Sequence, residues 1–303
     1  MDPSTELYLN FLDYVLPYFH DINKEMQSES PKLYLLYERI FTTYKTILEC
    51  FIKLQLTEGE KNSSKDLNLD LENKILNLEY ENKQNHVPIE EIYLGGNVIS
   101  LLLKQDFVAK MNEIEIVQFK EKCILFYMES VKQIKQRFCF NEKQRLKCLK
   151  FMNPKHIIEK QTVSTIAHLG VQFPGLCPEN MTELDREWRL LRNMTFHFTE
   201  KNADPTPEEF WKHVSCIKKA DQSPMFPLLC EFVRKLLALP HSSANVERLF
   251  SAINNMKTFK RNKICTETLE GLLRTKRFIA NNGQPGAEHL KIFNKNMYNF
   301  QKL

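Results

Sequence analysis

The chain has 303 residues and a mass of 35.9 kDa, a length that suits roughly two domains of about 150 residues each. Its 43% hydrophobic and 26% charged residues exclude a chain that is disordered throughout, and a net charge of +4 excludes a histone-like polybasic protein. Only 8 residues are glycine, which disfavours a glycine-rich phosphate-binding fold and favours a mostly helical one.

The N-terminal part of the sequence predicts two antiparallel helices followed by a polar stretch. Apolar residues at near-helical spacing indicate a first helix over 5–26. Ser30 and Pro31 suit the N-cap and first position of a second helix that runs to about residue 55. Residues 57–88 are rich in Asn, Lys, Glu and Asp, so we expect a mobile polar excursion there with one short helix.

The middle of the sequence returns to helical periodicity. Residues 93–110 and 113–138 carry apolar side chains mostly three and four apart and predict two helices. Residues 151–180 are punctuated by prolines, which predicts an irregular segment. A short strand is expected near 163–173. A helix follows in TELDREWRLLRN, for which Thr182 is the predicted N-cap.

The C-terminal part predicts further helices and a frayed tail. One begins at PTPEEFWKHV. The next covers 225–239, is apolar nearly all round and ends before Pro240, so we expect it to be buried. Two amphipathic helices are predicted at 243–256 and at about 265–281. Residues 283–303 are rich in Asn and Lys and are expected to form a flexible tail.

The cysteines and the N-terminus indicate an intracellular protein without a metal site. The 8 cysteines occur singly, whereas structural zinc sites need closely paired ligands. We therefore expect reduced, mostly buried thiols and no cofactor. The N-terminus MDPSTELYLNFLDY is acidic where a signal peptide is basic. Since no apolar run reaches the ~18 residues needed to span a bilayer, we expect a soluble chain that has no membrane partner.

The densest pattern in the sequence lies between residues 239 and 279. Ser243 is the predicted cap of a helix whose apolar stripe includes Val246, Leu249, Phe250 and Ile253. Thr266 opens a second short helix with its own apolar face. Two short amphipathic helices cannot bury both faces on each other. They need either the preceding helix or a second chain.

These residues resemble a known family. SSANVERLFS, NNMKTFKRNKI and ETLEGLLRTK, in this order, resemble the C-terminal dimerisation region of hAT-superfamily DNA transposases. Weaker similarity lies upstream. LNFLDYVLPYFHDINKEMQSESPKLYLLYERI resembles the opening of the family's helical insertion domain, and ELDREWRLL, with Glu183, Asp185 and Trp188, resembles its closing part.

The resemblance implies a fold class and a domain organisation. We expect a mainly α protein, in which a helical insertion-like domain precedes the C-terminal helices of a truncated RNase H-like fold. The expected domains are a helical insertion-like region at 1–222, the hAT C-terminal dimerisation region at 223–282 and the flexible tail at 283–303. Trp188 is either a buried anchor of this fold or, as an exposed aromatic, a base-stacking platform.

The resemblance also implies what chemistry to expect. Full-length transposases of this kind pair an N-terminal BED zinc finger with a catalytic fold, in which two aspartates and one glutamate hold two divalent metal ions. Glu247 occupies the position of that glutamate. The aspartates are expected upstream of LNFLDYVLP, only a few residues after Met1. We therefore expect Glu247 to be a relic rather than a live ligand, and the chain not to be an enzyme by itself.

The implied role of the C-terminal helices is dimerisation, with the chain forming a homodimer or a heterodimer with a related hAT-type protein. The alternative is that the same stripe is an internal core, or that it serves both purposes. The residues expected at the dimer interface are Val246, Leu249, Phe250, Ile253, Leu269, Leu272 and Leu273.

Three alternatives to dimerisation remain open from the sequence alone. One is DNA binding without sequence specificity, through a basic run of seven cations that is otherwise a solvated face. The second is nuclease activity, and the third is a truncated gene model of a longer transposase. The family implies a nuclear location; otherwise a cytoplasmic one is expected. The cations of the basic run are Lys257, Lys260, Arg261, Lys263, Arg274, Lys276 and Arg277.

Overall fold

The computed structural model confirms a mainly α fold. It contains no strand in the residues it describes, which have only two isolated antiparallel bridges, Ile52 with His86 and Lys218 with Pro224. The relation to a truncated RNase H-like fold and the domain boundaries stay predictions. The described residues are 2–28, 32–58, 67–138, 140, 144–159, 165–196, 205–240, 242–257 and 263–281.

The chain divides into two compact units, Met1–His241 and Ser242–Leu303. The helices of the first unit are α1 Pro3–Met26, α2 Leu33–Glu49, α3 Leu54–Thr57, α4 Leu67–Leu76, α5 Gly96–Leu102, α6 Gln105–Val108, α7 Glu113–Phe138, α8 Gln144–Cys148, α9 Pro154–Ile158, α10 Ala167–Gln172, α11 Met181–Asn193, α12 Pro207–Ser215 and α13 Pro227–Leu237. Short 3₁₀ helices lie at Lys83–Asn85 and Leu149–Met152. The second unit contains α14 Ala244–Met256 and α15 Thr266–Asn281.

The first unit contains two hydrophobic cores. In the first core, α1, α2 and α7 contact one another, and the helix predicted at 113–138 is confirmed as α7. Phe11 of α1 meets Tyr127 of α7 edge-to-face, with ring centroids 5.3 Å apart, and Phe51 stacks on Tyr127 at 6.0 Å. Such aromatic pairs add about 0.5–1.5 kcal/mol each beyond the area they bury.

The second core joins the start of α2 to the helices from α9 to α13. Trp188 is fully buried and packs edge-on against Phe151 at 5.3 Å, so the buried-anchor alternative is confirmed. Trp211 Nε1 donates a hydrogen bond of 3.0 Å to the carbonyl oxygen of Met152. The helix predicted to be buried at 225–239 is confirmed as α13, whose buried residues include Phe232 and Leu236.

The polar excursion predicted at 57–88 is corrected for its described part. Ile75 and Leu76 at the end of α4 are buried in the first core, and Tyr37 and Lys147 both hydrogen-bond to the carboxylate of Glu72. The many Asn, Lys and Glu residues of this segment make its average composition polar, so composition alone does not predict that Ile75 and Leu76 are buried. Residues 59–66 lie outside the described residues.

The second predicted helix is shorter than expected. It ends at Glu49, because the next residues pair with a later segment: Val87 N–H donates to the Phe51 carbonyl and Lys53 N–H to that of Asn85, both at 3.0 Å. The predicted cap and first position of this helix, Ser30 and Pro31, lie outside the described residues.

The strand predicted near 163–173 is wrong for the described residues, because 167–172 form the helix α10. Asp185 Oδ1 accepts hydrogen bonds from the backbone N–H of Ile166 at 2.9 Å and from Thr165 Oγ1 at 2.6 Å. Ile166 and Leu169, three residues apart, are buried on one side of this turn. A hydrogen bond from a residue 19 positions away therefore contributes to the local structure.

The predicted N-cap of the following helix is also wrong. The side chain of Asn180 caps α11 by accepting a 3.1 Å hydrogen bond from Glu183 N–H, and Thr182 lies inside the helix. Asn and Thr are both good N-cap residues, and here Asn180, two residues before Thr182, is the N-cap.

Within the described ranges, no helix combines the length and the apolar composition needed to cross a membrane. In the second unit, α14 and α15 contact each other, and both positions agree with the sequence prediction.

Candidate dimerisation surface

The start of α14 fixes the position of Glu247. Ser243 is the N-cap residue, as predicted, but its side chain accepts no hydrogen bond from the helix backbone. Instead, Ser243 Oγ donates to Glu247 Oε1 at 2.5 Å, and Glu247 is exposed in the first turn. A carboxylate in the first turn is also favoured by the helix dipole. The structure thus gives Glu247 a local role at a helix end.

The apolar stripe on α14 and α15 is largely open to solvent. Four of the seven predicted interface residues have exposed fractions between 42% and 59%, and Phe250 has the largest. The other three, Ile253, Leu269 and Leu273, are half-buried. Phe278 near the end of α15 is 55% exposed. The exposed members of the predicted set are Val246, Leu249, Phe250 and Leu272.

The first turn of α15 is stabilised locally. Cys265 Sγ and Thr268 Oγ1 are 3.1 Å apart, and a hydrogen bond from its own backbone N–H lowers the pKa of the exposed Glu267 carboxyl. Arg274 and Glu270 form an i,i+4 ion pair with an N···O distance of 2.6 Å. These polar contacts lie within one helix, and exposed pairs of this kind contribute only about 0.3–0.5 kcal/mol. Burial of the exposed apolar side chains of the stripe therefore has a larger favourable free energy than these polar contacts.

The basic run is placed only in part. Lys257, Lys263 and Lys276 are exposed, and Arg274 is paired with Glu270. The predicted members Lys260 and Arg261 and the side chain of Arg277 lie outside the described residues. DNA binding by this run stays a prediction.

No group of three or more His, Cys, Asp or Glu side chains that could hold a metal ion occurs in the part of the chain that the structure describes. Of the described cysteines, Cys50, Cys123 and Cys230 are buried, and Cys216 and Cys265 are exposed.

The sequence analysis did not predict two sets of hydrogen bonds that cap the starts of α12 and α13, the helices that precede this surface in the chain. Thr206 and Glu209 form a capping box at the start of α12, a T-x-x-E signal that is readable in the sequence. Glu187 of α11 is 2% exposed and accepts hydrogen bonds from the N–H groups of Leu228 and Leu229 in α13. The second contact joins residues 42 positions apart, so no local signal predicts it.

Comparison with known families tests the resemblance directly. The model of the hAT family C-terminal dimerisation region matches residues 191–279. The match begins at the end of α11 and includes α12, α13, α14 and most of α15. A search among curated proteins finds no match to the chain. The resemblance seen in the C-terminal motifs is confirmed: residues 191–279 match the C-terminal dimerisation region of the hAT family, which supports an hAT-type, transposase-derived protein.

Proposed function

We propose that the chain forms a homodimer through the exposed apolar stripe of α14 and α15. The observation that carries this proposal is the exposure of Val246, Leu249, Phe250 and Leu272 on two contacting helices. The match of the same helices to a dimerisation region supports it. A contiguous apolar patch on a protein surface commonly marks an interaction site, and a second copy supplies the same patch around a two-fold axis.

The seven predicted residues divide into two roles in this proposal. The half-buried Ile253, Leu269 and Leu273 stabilise the helix pair within one chain. The exposed residues cover the matching stripe of the second copy. The stripe therefore acts both as a small internal core and as an interface, with different side chains serving each purpose.

Burial of the exposed part of these side chains favours association. Full burial of a Leu, Val or Phe side chain contributes about 1.5–3 kcal/mol. In a two-fold interface each position contributes from both copies, so a single Phe250→Asp substitution removes two anchors and buries two uncompensated charges. We expect it to weaken association by at least about 100-fold.

Co-expression of two differently tagged full-length copies tests the proposal. We expect each wild-type copy to capture the other, and Phe250→Asp in both copies to abolish capture. Leu125→Asp is the matched control, because Leu125 is a helical leucine of the first unit with a similar exposed fraction, 63%. Equal loss of capture in both variants, or full capture by Phe250→Asp, would contradict the proposal. Failure of wild-type capture would leave a longer hAT-type protein as the partner and would reject the homodimer.

We further propose that this chain is catalytically inactive by itself and is a relic or domesticated form of the transposase. The carboxylate of Glu247 accepts a hydrogen bond from the hydroxyl of Ser243 at the start of its own helix, which supports a local structural role. We expect no nicking of supercoiled plasmid with Mg²⁺ or Mn²⁺. Metal-dependent nicking by the wild type that disappears in Glu247→Gln would contradict this part of the proposal.

A further inference from the structure

A small cleft in the first unit lies along one face of α2. Tyr34, Tyr37 and Phe41, three and four residues apart on this helix, line it with aromatic side chains. Its volume is about 180 Å³. Since an apolar cavity of about 150 Å³ accommodates benzene, the cleft admits a ligand with one ring and a small polar group. The remaining lining residues are Glu38, Glu72, Lys147, Lys150 and His156.

The aromatic wall of the cleft is held in place by packing. Tyr34 and Tyr37 are only 8% and 5% exposed. The Tyr37 ring is nearly parallel to that of Phe41, with centroids 6.4 Å apart, and it meets Phe140 edge-on at 5.8 Å. A wall of this kind is already formed before a ligand arrives, so binding does not have to order it.

One carboxylate in the lining is already used within the chain. Tyr37 Oη donates to Glu72 Oε1, and Lys147 Nζ donates to Glu72 Oε2 at 2.6 Å. Both oxygens of Glu72 therefore have a donor. An ammonium group carries three N–H donors, so Lys147 retains donors that Glu72 does not use.

The uncompensated groups of the lining are mainly donors. Lys150 is exposed and His156 is half-buried, and no carboxylate of the described residues lies within ion-pair distance of either. Both can donate hydrogen bonds to a ligand. The exposed Glu38 is the one carboxylate of the lining whose oxygens are not already held. This excess of donors favours a ligand that brings acceptors and negative charge.

We propose that this cleft binds a small monocyclic aromatic carboxylate. The ring of the ligand lies against Tyr37 and Phe41, and its carboxylate accepts hydrogen bonds from Lys150 and His156. Hydrogen bonds between an ammonium and a carboxylate are stronger than those between neutral groups. A simple anion without a ring leaves the aromatic wall unused, and a neutral ring leaves the donors unused. Affinity and selectivity therefore require both parts of the ligand.

Isothermal titration calorimetry of the full-length protein with phenylacetate tests the proposal. We expect saturable binding at one site per chain, with a Kd below about 1 mM. Acetate lacks the ring and benzyl alcohol lacks the charge, so each is expected to bind at least about 10-fold more weakly than phenylacetate.

Three single variants localise the binding. Lys150→Ala is expected to weaken it at least about 5-fold, because a charge-assisted contact is lost. The matched control is Lys155→Ala, an exposed lysine beside His156 that does not line the cleft; it is expected to stay within about 2-fold of the wild type. Glu38→Gln removes a negative charge from the lining and is expected to tighten binding by about 2-fold.

Several outcomes would overturn the proposal. One is the absence of saturable binding of phenylacetate at concentrations up to about 10 mM. Equal weakening by Lys150→Ala and Lys155→Ala would assign the effect to overall charge, and acetate binding as tight as that of phenylacetate would exclude a role for the aromatic wall. Weaker binding by Glu38→Gln would show that the cleft selects a cationic or zwitterionic ligand instead.

The same titration with Phe250→Asp separates this inference from dimerisation. All lining residues belong to the first unit, so phenylacetate is expected to bind this variant as it binds the wild type. Loss of binding in Phe250→Asp would contradict a site that is complete within one chain.

Discussion

Glu187 Oε2 accepts a 2.8 Å hydrogen bond from the backbone N–H of Leu229, so that a buried side chain of α11 caps the first turn of α13. The other oxygen accepts a weaker contact of 3.4 Å from Leu228 N–H. The N-cap residue of α13, Phe226, supplies no side-chain hydrogen bond of its own. The carboxylate of one helix thus replaces the missing cap of another and fixes their packing.

Removal of this carboxylate is expected to destabilise the first unit. Glu187→Ala leaves two amide groups without their acceptor and opens a cavity, which together cost about 2–4 kcal/mol. The control is Glu183→Ala on the same helix, whose ion pair with Arg186 lies at the surface and contributes less than about 1 kcal/mol. Chemical denaturation monitored by circular dichroism measures both. Equal stability of the two variants would contradict the capping role.

The pH dependence of stability tests the same residue in another way. Burial raises the pKa of Glu187 above the reference value of 4.5, so the folded state retains its proton at higher pH than the unfolded state. The contribution of this group to the free energy of unfolding is therefore greatest below pH 4.5 and decreases as the pH rises through the folded pKa. The stability of the wild type minus that of Glu187→Gln is expected to fall over this range. A difference that rises with pH would be inconsistent with the burial.

Removal of the hydroxyl group is expected to have opposite effects on stability at two fully buried tyrosines. Tyr127 Oη donates a 2.7 Å hydrogen bond to the Tyr93 carbonyl, whereas Tyr44 Oη has no hydrogen-bond partner among the described residues. Tyr127→Phe is expected to cost about 1–2 kcal/mol, and Tyr44→Phe to be neutral or stabilising by about 1 kcal/mol. Thermal unfolding of both variants checks the signs. A destabilised Tyr44→Phe would reveal a partner that the described residues do not provide.

Substitution by alanine is likewise expected to have different effects on stability at two adjacent glycines, Gly95 and Gly96. Gly95 has φ of +93°, and an added Cβ would lie 2.6 Å from Cγ of Tyr14, so Gly95→Ala is expected to cost about 2–4 kcal/mol. Gly96 begins α5 and has open space around its Cα hydrogens. Gly96→Ala is expected to be neutral or stabilising by about 0.4–1 kcal/mol. Similar midpoints of unfolding for the two variants would refute the close packing at Gly95.

The helices were predictable where periodicity is long and local. The stripe of α7 extends over 26 residues, and its start is capped by the neighbouring side chains of Asn112 and Glu115. The failures are of the opposite kind. α10 is a single short helix whose start is capped by Asp185, and Ile75 and Leu76 are buried behind a polar surface in a segment that composition alone describes as solvated.

The candidate surfaces show the same distinction. The apolar stripe of α14 and α15 follows an i, i+3, i+4, i+7 pattern that the sequence alone reveals. The sequence does not reveal how far the stripe is exposed, and the structure shows this. The ion pair between Lys147 and Glu72 joins residues 75 positions apart, so no local pattern predicts it.

The most direct test of the central claim is the mass of the full-length protein in solution as a function of concentration, measured by sedimentation equilibrium for the wild type and for Phe250→Asp. We predict a dimer for the wild type and a folded monomer for the variant, with unchanged circular dichroism. A wild type that stays monomeric at high concentration, together with a variant that unfolds, would show that the stripe is only an internal core and would contradict dimerisation through α14 and α15.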